Sequence, residues 1–220
     1  MAAAGQPIAR AAGVVVGTAV RFAAHALVGV RALWHDAPPA AGPRVYFANH
    51  ASHGDIALIW ATLPRAARLA ARPVAGSDYW GSSPLRRFLS RHVFAVLPID
   101  RAGAWNGAVP LQCMSRALDR GESLILFPEG TRNTGEAALL PFKGGLFYLS
   151  RSRPRLELVP VWIDNAGRAM PKGRWFPVPI LCTVSYGAAL RVEVGEDKDA
   201  FMRRATAAVD ALRPRVGTAP

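Results

Sequence analysis

Short apolar, often β-branched runs that alternate with helical stretches constrain this chain more than any other feature. Runs at 44–48, 72–75, 93–99, 123–127, 156–163 and 181–186 read as strands, and 52–62, 84–91, 109–120, 144–151 and 199–212 read as helices. Such alternation predicts an α/β domain with a central mixed, largely parallel sheet flanked by helices. Ser123 to Phe127 is the clearest case: four apolar residues follow the serine, as a strand buried on both faces requires. The 220 residues suit one sizeable core, and no repeat or low-complexity tract divides them. We therefore read 1–43 as an N-terminal helix and linker and 44–220 as the domain.

Residues 11–34 are mostly apolar and free of proline, which predicts a helix. Arg21, His25 and Arg31 interrupt it, leaving uncharged runs about half the ~20 residues a membrane span needs. At roughly 100° per residue, Arg10, Arg21 and His25 share one arc, and Val16, Ala19, Ala23, Leu27 and Val30 lie opposite. That pattern predicts an amphipathic membrane-contact helix lying in the interface, basic side toward phosphates. A helix packed on the domain's own core has the same periodicity. The Gly13–Gly17 spacing is too weak a signal to assign helix pairing. The prolines of 35–43 mark a linker. Met1 to Pro7 carries no basic residue and no clear cleavage region follows, so a secretory leader is not expected. The expected location is the cytoplasmic face of the cell membrane, peripheral or interfacial.

Lys and Arg total 27 against 15 acids, a net +12, and the only lysines are Lys143, Lys172 and Lys198. Nucleic acid, anionic headgroups or a phosphorylated substrate all fit that excess, as does a genome whose base composition favours Ala and Arg. Nucleic acid is set aside, because no reader motif and no basic face with stacking aromatics is present. Cys113 and Cys182, the only cysteines, have neither metal-ligand nor CxxC spacing.

Chemistry concentrates where strands end. Asn49-His50-Ala51-Ser52-His53-Gly54-Asp55 leaves one predicted strand and enters a helix, the place where α/β domains carry reactive groups. On a continuous helix His50 and Asp55 would diverge by about 140°. They meet if His50 stays in the loop and Asp55 opens the helix, with Ser52 as N-cap in a Ser52-x-x-Asp55 capping box. Asp55 then fixes the imidazole tautomer, and the other ring nitrogen takes a proton from an attacking hydroxyl. Asp55 is also explicable as a plain helix cap, and His53 is an alternative base.

Three further clusters follow strands. In Phe127-Pro128-Glu129-Gly130-Thr131-Arg132, Gly130 permits close backbone approach, Arg132 offers a donor fork for phosphate and Glu129 an acceptor for a polyol hydroxyl. Lys143, before Gly144-Gly145 at a predicted helix start, makes a second anion site. Pro98-Ile99-Asp100-Arg101 again sets an acid and an arginine after a strand. Taken singly, each is also an ordinary surface turn with a solvated ion pair.

In this order the residues resemble the 1-acylglycerol-3-phosphate acyltransferase family (PlsC-type). Its four blocks look like Asn49-His50-x-Ser52-x-x-Asp55, Pro98 to Arg101, Phe127 to Arg132, and Val159-Pro160-Val161. The resemblance implies O-acyl transfer from acyl-CoA or acyl carrier protein to a lysophospholipid, with neither metal nor cofactor. It makes His50 and Asp55 the catalytic dyad, with Asn49 and Ser52 supporting. Glu129, Gly130 and Arg132 match its acceptor-binding block and Arg101 its phosphate contact; Thr131 lies in the same block. Two positions depart from the pattern: the second block's usual glycine is missing from Phe94-Ala95-Val96-Leu97-Pro98, and a Lys-x-Glu-Leu stretch is replaced by Gly76-Ser77-Asp78-Tyr79. Arg72 and Arg86 are candidates to replace the missing lysine. Competing readings are a thioester hydrolase on the same pair, against which the chain has no Gly-x-Ser-x-Gly elbow, and a non-catalytic basic membrane-binding module.

Overall fold

The computed structural model describes residues 5–36, 42–100, 108–169 and 178–214. The chain opens with α1 (Gly5–Val28), β1 (Arg31–Trp34), β2 (Arg44–Ala48), α2 (Asp55–Thr62), α3 (Arg65–Ala70), β3 (Ala71–Gly76), α4 (Ser77–Gly81) and α5 (Pro84–Phe88). A π-helical turn, Leu89–Val93, extends α5. There follow β4 (Leu97–Ile99), α6 (Ala108–Asp119), β5 (Ser123–Leu126), α7 (Gly145–Arg151), β6 (Glu157–Asp164), α8 (Ala166–Ala169), β7 (Thr183–Tyr186) and α9 (Lys198–Asp210).

Among the described residues the strands form one sheet in the order β1-β7-β6-β2-β5-β3-β4. Every neighbouring pair is parallel except β6–β7. The side-chain alternation of β2 divides the core. Val45 and Phe47 join Met114, Phe147 and Phe201 from α6, α7 and α9, while Tyr46 and Ala48 join Ile59 of α2 and Val28 of α1. With apolar layers on both faces, the expected mixed, largely parallel α/β architecture is what forms.

Two predicted elements differ from the sequence reading by four residues or more. The first helix ends at Val28, not Trp34, because Gly29 takes φ +50, a left-handed stop that glycine adopts without strain. Arg31–Trp34 instead pairs parallel with β7, and the Trp34 ring stacks on Tyr186 at 3.9 Å. The strand expected at 93–99 shrinks to Leu97–Ile99: Val93 completes the π-turn and Ala95 sits at φ +49. Val93, Phe94 and Val96 are apolar because they are buried in the α1/α2 layer.

α1 packs along α2 and the π-turn. A Cβ on Gly13 would collide with the His92 carbonyl, and one on Gly17 would lie 3.2 Å from the Trp60 ring. The spacing set aside in the sequence is therefore the contact strip, small residues admitting close backbone approach. This rotates the helix from the expected orientation. Val28 is core and Val16, Val20 and Ala24 pack against the core, while Ile8, Val15 and Phe22, 73, 68 and 73% exposed, form the outward ridge. Arg10, Arg21 and His25 lie exposed beside it.

Candidate active site

β2, β5 and β6 run parallel, so the segments leaving their carboxyl ends gather at one edge. Asn49 continues β2 into that edge and is buried. Its amide donates to the Ile163 carbonyl (3.1 Å) and its oxygen accepts the Ile163 N–H (2.7 Å), clamping the loop to β6. His50 follows, its ring stacked on Phe127 at 4.2 Å.

His50 Nδ1 lies 2.8 Å from Asp55 Oδ2. The same oxygen accepts the backbone N–H groups of Ala51 (2.8 Å) and Ser52 (2.9 Å). Oδ1 is buried with no hydrogen-bond partner among the described residues. A carboxylate fed by two backbone donors is an acceptor, so Nδ1 carries the proton and Nε2 has a free lone pair. The capping expectation needs correcting: α2 starts at Asp55 with Gly54 at the cap position and no side-chain cap bond. The Ser52 hydroxyl accepts from Gly54 N (3.2 Å) instead. Only the return half of the box forms, from Ser52 N–H to the Asp55 carboxylate, and it aims the carboxylate at the imidazole.

Glu129, read as a ligand for a polyol hydroxyl, faces inward at 3% exposure. Its Oε1 accepts the His50 N–H (2.7 Å) and its Oε2 the Leu140 N–H (2.9 Å). Burial pushes its carboxyl above the usual range, opposed by those two hydrogen bonds. The Asn133 N–H donates to the His50 carbonyl at 2.7 Å, so the peptide groups on both sides of His50 are anchored by the segment from Glu129 to Asn133. Gly130, at φ +72, leaves room for the Lys143 side chain, which a Cβ there would strike.

His50, Gly130, Thr131 and Arg132 line a cavity of about 250 Å³ together with His53 and Tyr79. Arg132 makes no hydrogen bond or ion pair among the described residues and so presents an uncommitted guanidinium. His53 stacks on Tyr79 (4.6 Å), and the Arg86 guanidinium lies 4.3 Å from the same ring. Burial, then the nearby Arg132, His50 and Arg86, lowers the His53 pKa. It takes no part in the Asp55 hydrogen-bond set, so His50 alone has the geometry of an oriented base. Of the two candidates for the missing lysine, Arg72 is bound to Glu122 (3.1 Å) and Arg86 borders this cavity through Tyr79. Arg101 lies outside the described residues. Cys182 is buried and its thiol pushed up to about 11, which removes it as a nucleophile at neutral pH.

Sequence reasoning missed the bracing role of Glu129 and a second opening beside His50 of about 290 Å³, lined by Trp162 and Arg168 among others. Their signals are separations of 79 residues (His50–Glu129) and more, invisible to local pattern.

A family model described as Acyltransferase matches residues 34–164. The chain is 32% identical to a 1-acyl-sn-glycerol-3-phosphate acyltransferase of Limnanthes alba, over 64% of this chain and 48% of that one. It is also 32% identical to the protein of the same name from Cocos nucifera, over 70% of this chain and 48% of that one. The chain thus spans about half the length of the curated relatives it matches. The crystal structure of the 1-acyl-sn-glycerophosphate acyltransferase PlsC from Thermotoga maritima superposes with a TM-score of 0.69 at 18% identity, over 90% of this chain and 78% of that one. At that identity the likeness is one of fold.

Proposed function

Because the chain belongs to the Acyltransferase family, we propose that it moves a fatty acyl group from a thioester onto the hydroxyl of a lysophospholipid, with 1-acylglycerol-3-phosphate as the leading acceptor. The observation that carries this reading is the 2.8 Å contact between His50 Nδ1 and a fully buried, doubly backbone-bonded Asp55.

His50 Nε2 takes the proton of the acceptor hydroxyl as its oxygen attacks the acyl carbonyl, and Asp55 stabilises the imidazolium that forms. The tetrahedral intermediate collapses by breaking the carbon–sulfur bond. The leaving thiolate recovers the proton from the imidazolium, so atoms and charge balance without a protein nucleophile. Arg132 and Lys143, with Arg101 by family resemblance, supply positive charge for an acceptor phosphate. The names of the relatives support that acceptor; they do not bear on the donor, acyl-CoA or acyl carrier protein.

The reaction takes place at a lipid surface, on the cytoplasmic side. Gln6–Val28 is long and apolar enough, at mean hydropathy 1.6, to cross a bilayer by length and composition. Its docking along α2, with basic residues beside an apolar ridge, favours a helix that lies in the interface. The test is purified protein with acyl-CoA and a panel of lysolipids, following free thiol. Release that requires an acceptor is expected. Equal release without one would make the protein a hydrolase and end this reading.

A further inference from the structure

His50 lines two openings, not one. The first is the cavity with Tyr79 and Arg132. The second is lined by His50 with its neighbours Asn49 and Ala51, and by Trp162, Arg168 and Arg213. We propose that this second groove takes the phosphopantetheine arm shared by acyl-CoA and acyl carrier protein, leaving the first for the lysolipid acceptor. The inference rests on the acyl-transfer reading above.

Transfer by a single base without a covalent enzyme intermediate requires both substrates at the imidazole together. A cavity of about 250 Å³ is of the size one small ligand occupies, not a lysolipid headgroup and a thioester arm together. A second groove of about 290 Å³ lined by the same residue supplies separate space.

Its chemistry suits an amide-bearing chain that ends in a phosphate. Trp162, 7% exposed, has an indole N–H with no hydrogen-bond partner among the described residues. A buried donor left without an acceptor is unfavourable, so one supplied by a ligand would be favoured there. A pantetheine carbonyl is such an acceptor. Arg213 makes no side-chain hydrogen bond or ion pair among the described residues, and Arg168 has only a 3.4 Å contact with Asn165. These two exposed cations line the same groove and supply charge for the arm's phosphate. Among the described residues none of the acids lining the groove is ion-paired with either arginine: Glu129 accepts two backbone N–H groups, Asp164 accepts from the Asn165 amide at 3.0 Å, and Glu136 is exposed.

The experiment is two-substrate steady-state kinetics on the full chain, with acyl-CoA and then acyl carrier protein as donor and lysophosphatidate as acceptor. The variants are Trp162→Phe, which removes the indole donor, and Arg168→Glu with Arg213→Glu, two exposed positions that leave the core untouched. Both should raise the donor KM, on the order of tenfold for the charge reversals, with either donor and with the acceptor KM unchanged. A rise confined to one donor overturns the assignment to the shared arm. A rise in acceptor KM, or no change in either, overturns the groove. Wild-type protein that releases no thiol in the presence of any lysolipid would instead count against the acyl-transfer reading itself.

Discussion

The two ends of the sheet handle carboxylates in opposite ways. Where β2 and β5 finish, Asp55 and Glu129 are sealed from solvent and satisfied largely by backbone N–H groups. Where β2, β3 and β6 begin, Glu157 and Glu122 sit part-exposed in the grip of Arg44, Arg191, Arg72 and Arg120. The far end also has the larger cavity, about 430 Å³ beside Arg44 and Arg155. It contains no oriented base, so volume is a poor guide to chemistry here. Backbone donors cannot rotate away, and a carboxylate they hold fixes whatever it touches. Arginines on flexible stems do not give that precision. Several of the arginines are thus paired with carboxylates, whereas Arg132, in no ion pair among the described residues, lines the same cavity as His50.

The largest expected effect breaks the site end alone. His50→Ala should lower turnover about 10²–10⁴-fold while the melting temperature barely moves, as steady-state assays and thermal unfolding by circular dichroism would record. Next is Glu129→Ala, which strands the buried N–H groups of His50 and Leu140. Stability should fall by about 2–6 kcal/mol, at 1–3 for each of the two orphaned donors, and kcat should fall with it. A raised acceptor KM with unchanged stability would return Glu129 to the role of substrate ligand.

At the far end Glu157→Gln should cost only about 0.2–1 kcal/mol, the range for exposed ion pairs. Hydrogen bonding and charge from Arg44, then Arg191, hold the Glu157 carboxyl below its usual range. A lowered native pKa means the pair's contribution is complete above the unfolded value of ~4.3 and is lost as pH falls through the native one. Denaturant titrations between neutral and strongly acid pH should therefore show a shallower acid decline in the variant. Smallest is Ala95→Gly. An L residue in the left-handed region costs about 1–2 kcal/mol, and glycine's extra unfolded-chain entropy returns about 0.4–1. A gain of several tenths of a kcal/mol in chemical denaturation is expected; a loss would mean that φ +49 at this position is not strained.

The contrast also explains what was legible in the sequence. Val45 to Ala48 and Leu124 to Phe127 announce buried strands because a two-faced sheet needs apolar residues at every position. His50 and Asp55 were legible because a five-residue step across a loop-to-helix junction has few geometries. Glu129 was read as a hydroxyl ligand and its bracing of His50 was not legible, since a carboxylate after a strand carries no local sign of an N–H group 79 residues earlier in the chain. Gly29 and Ala95 escaped notice because a positive φ is a property of the turn and not of the residue type. Alternation of polar and apolar positions located the N-terminal helix but not its rotation, which is set by the two glycines packed on Trp60 and His92.

That packing has a mechanical consequence. Gly17 abuts Trp60, and Trp60 stands five residues along α2 from Asp55, about 7.5 Å at the ordinary helical rise. With the outer ridge of α1 settled among lipid tails as proposed, any tilt of that helix levers directly on the element that aims the carboxylate. Bilayer thickness and headgroup packing would then tune proton transfer without a lipid ever touching the imidazole.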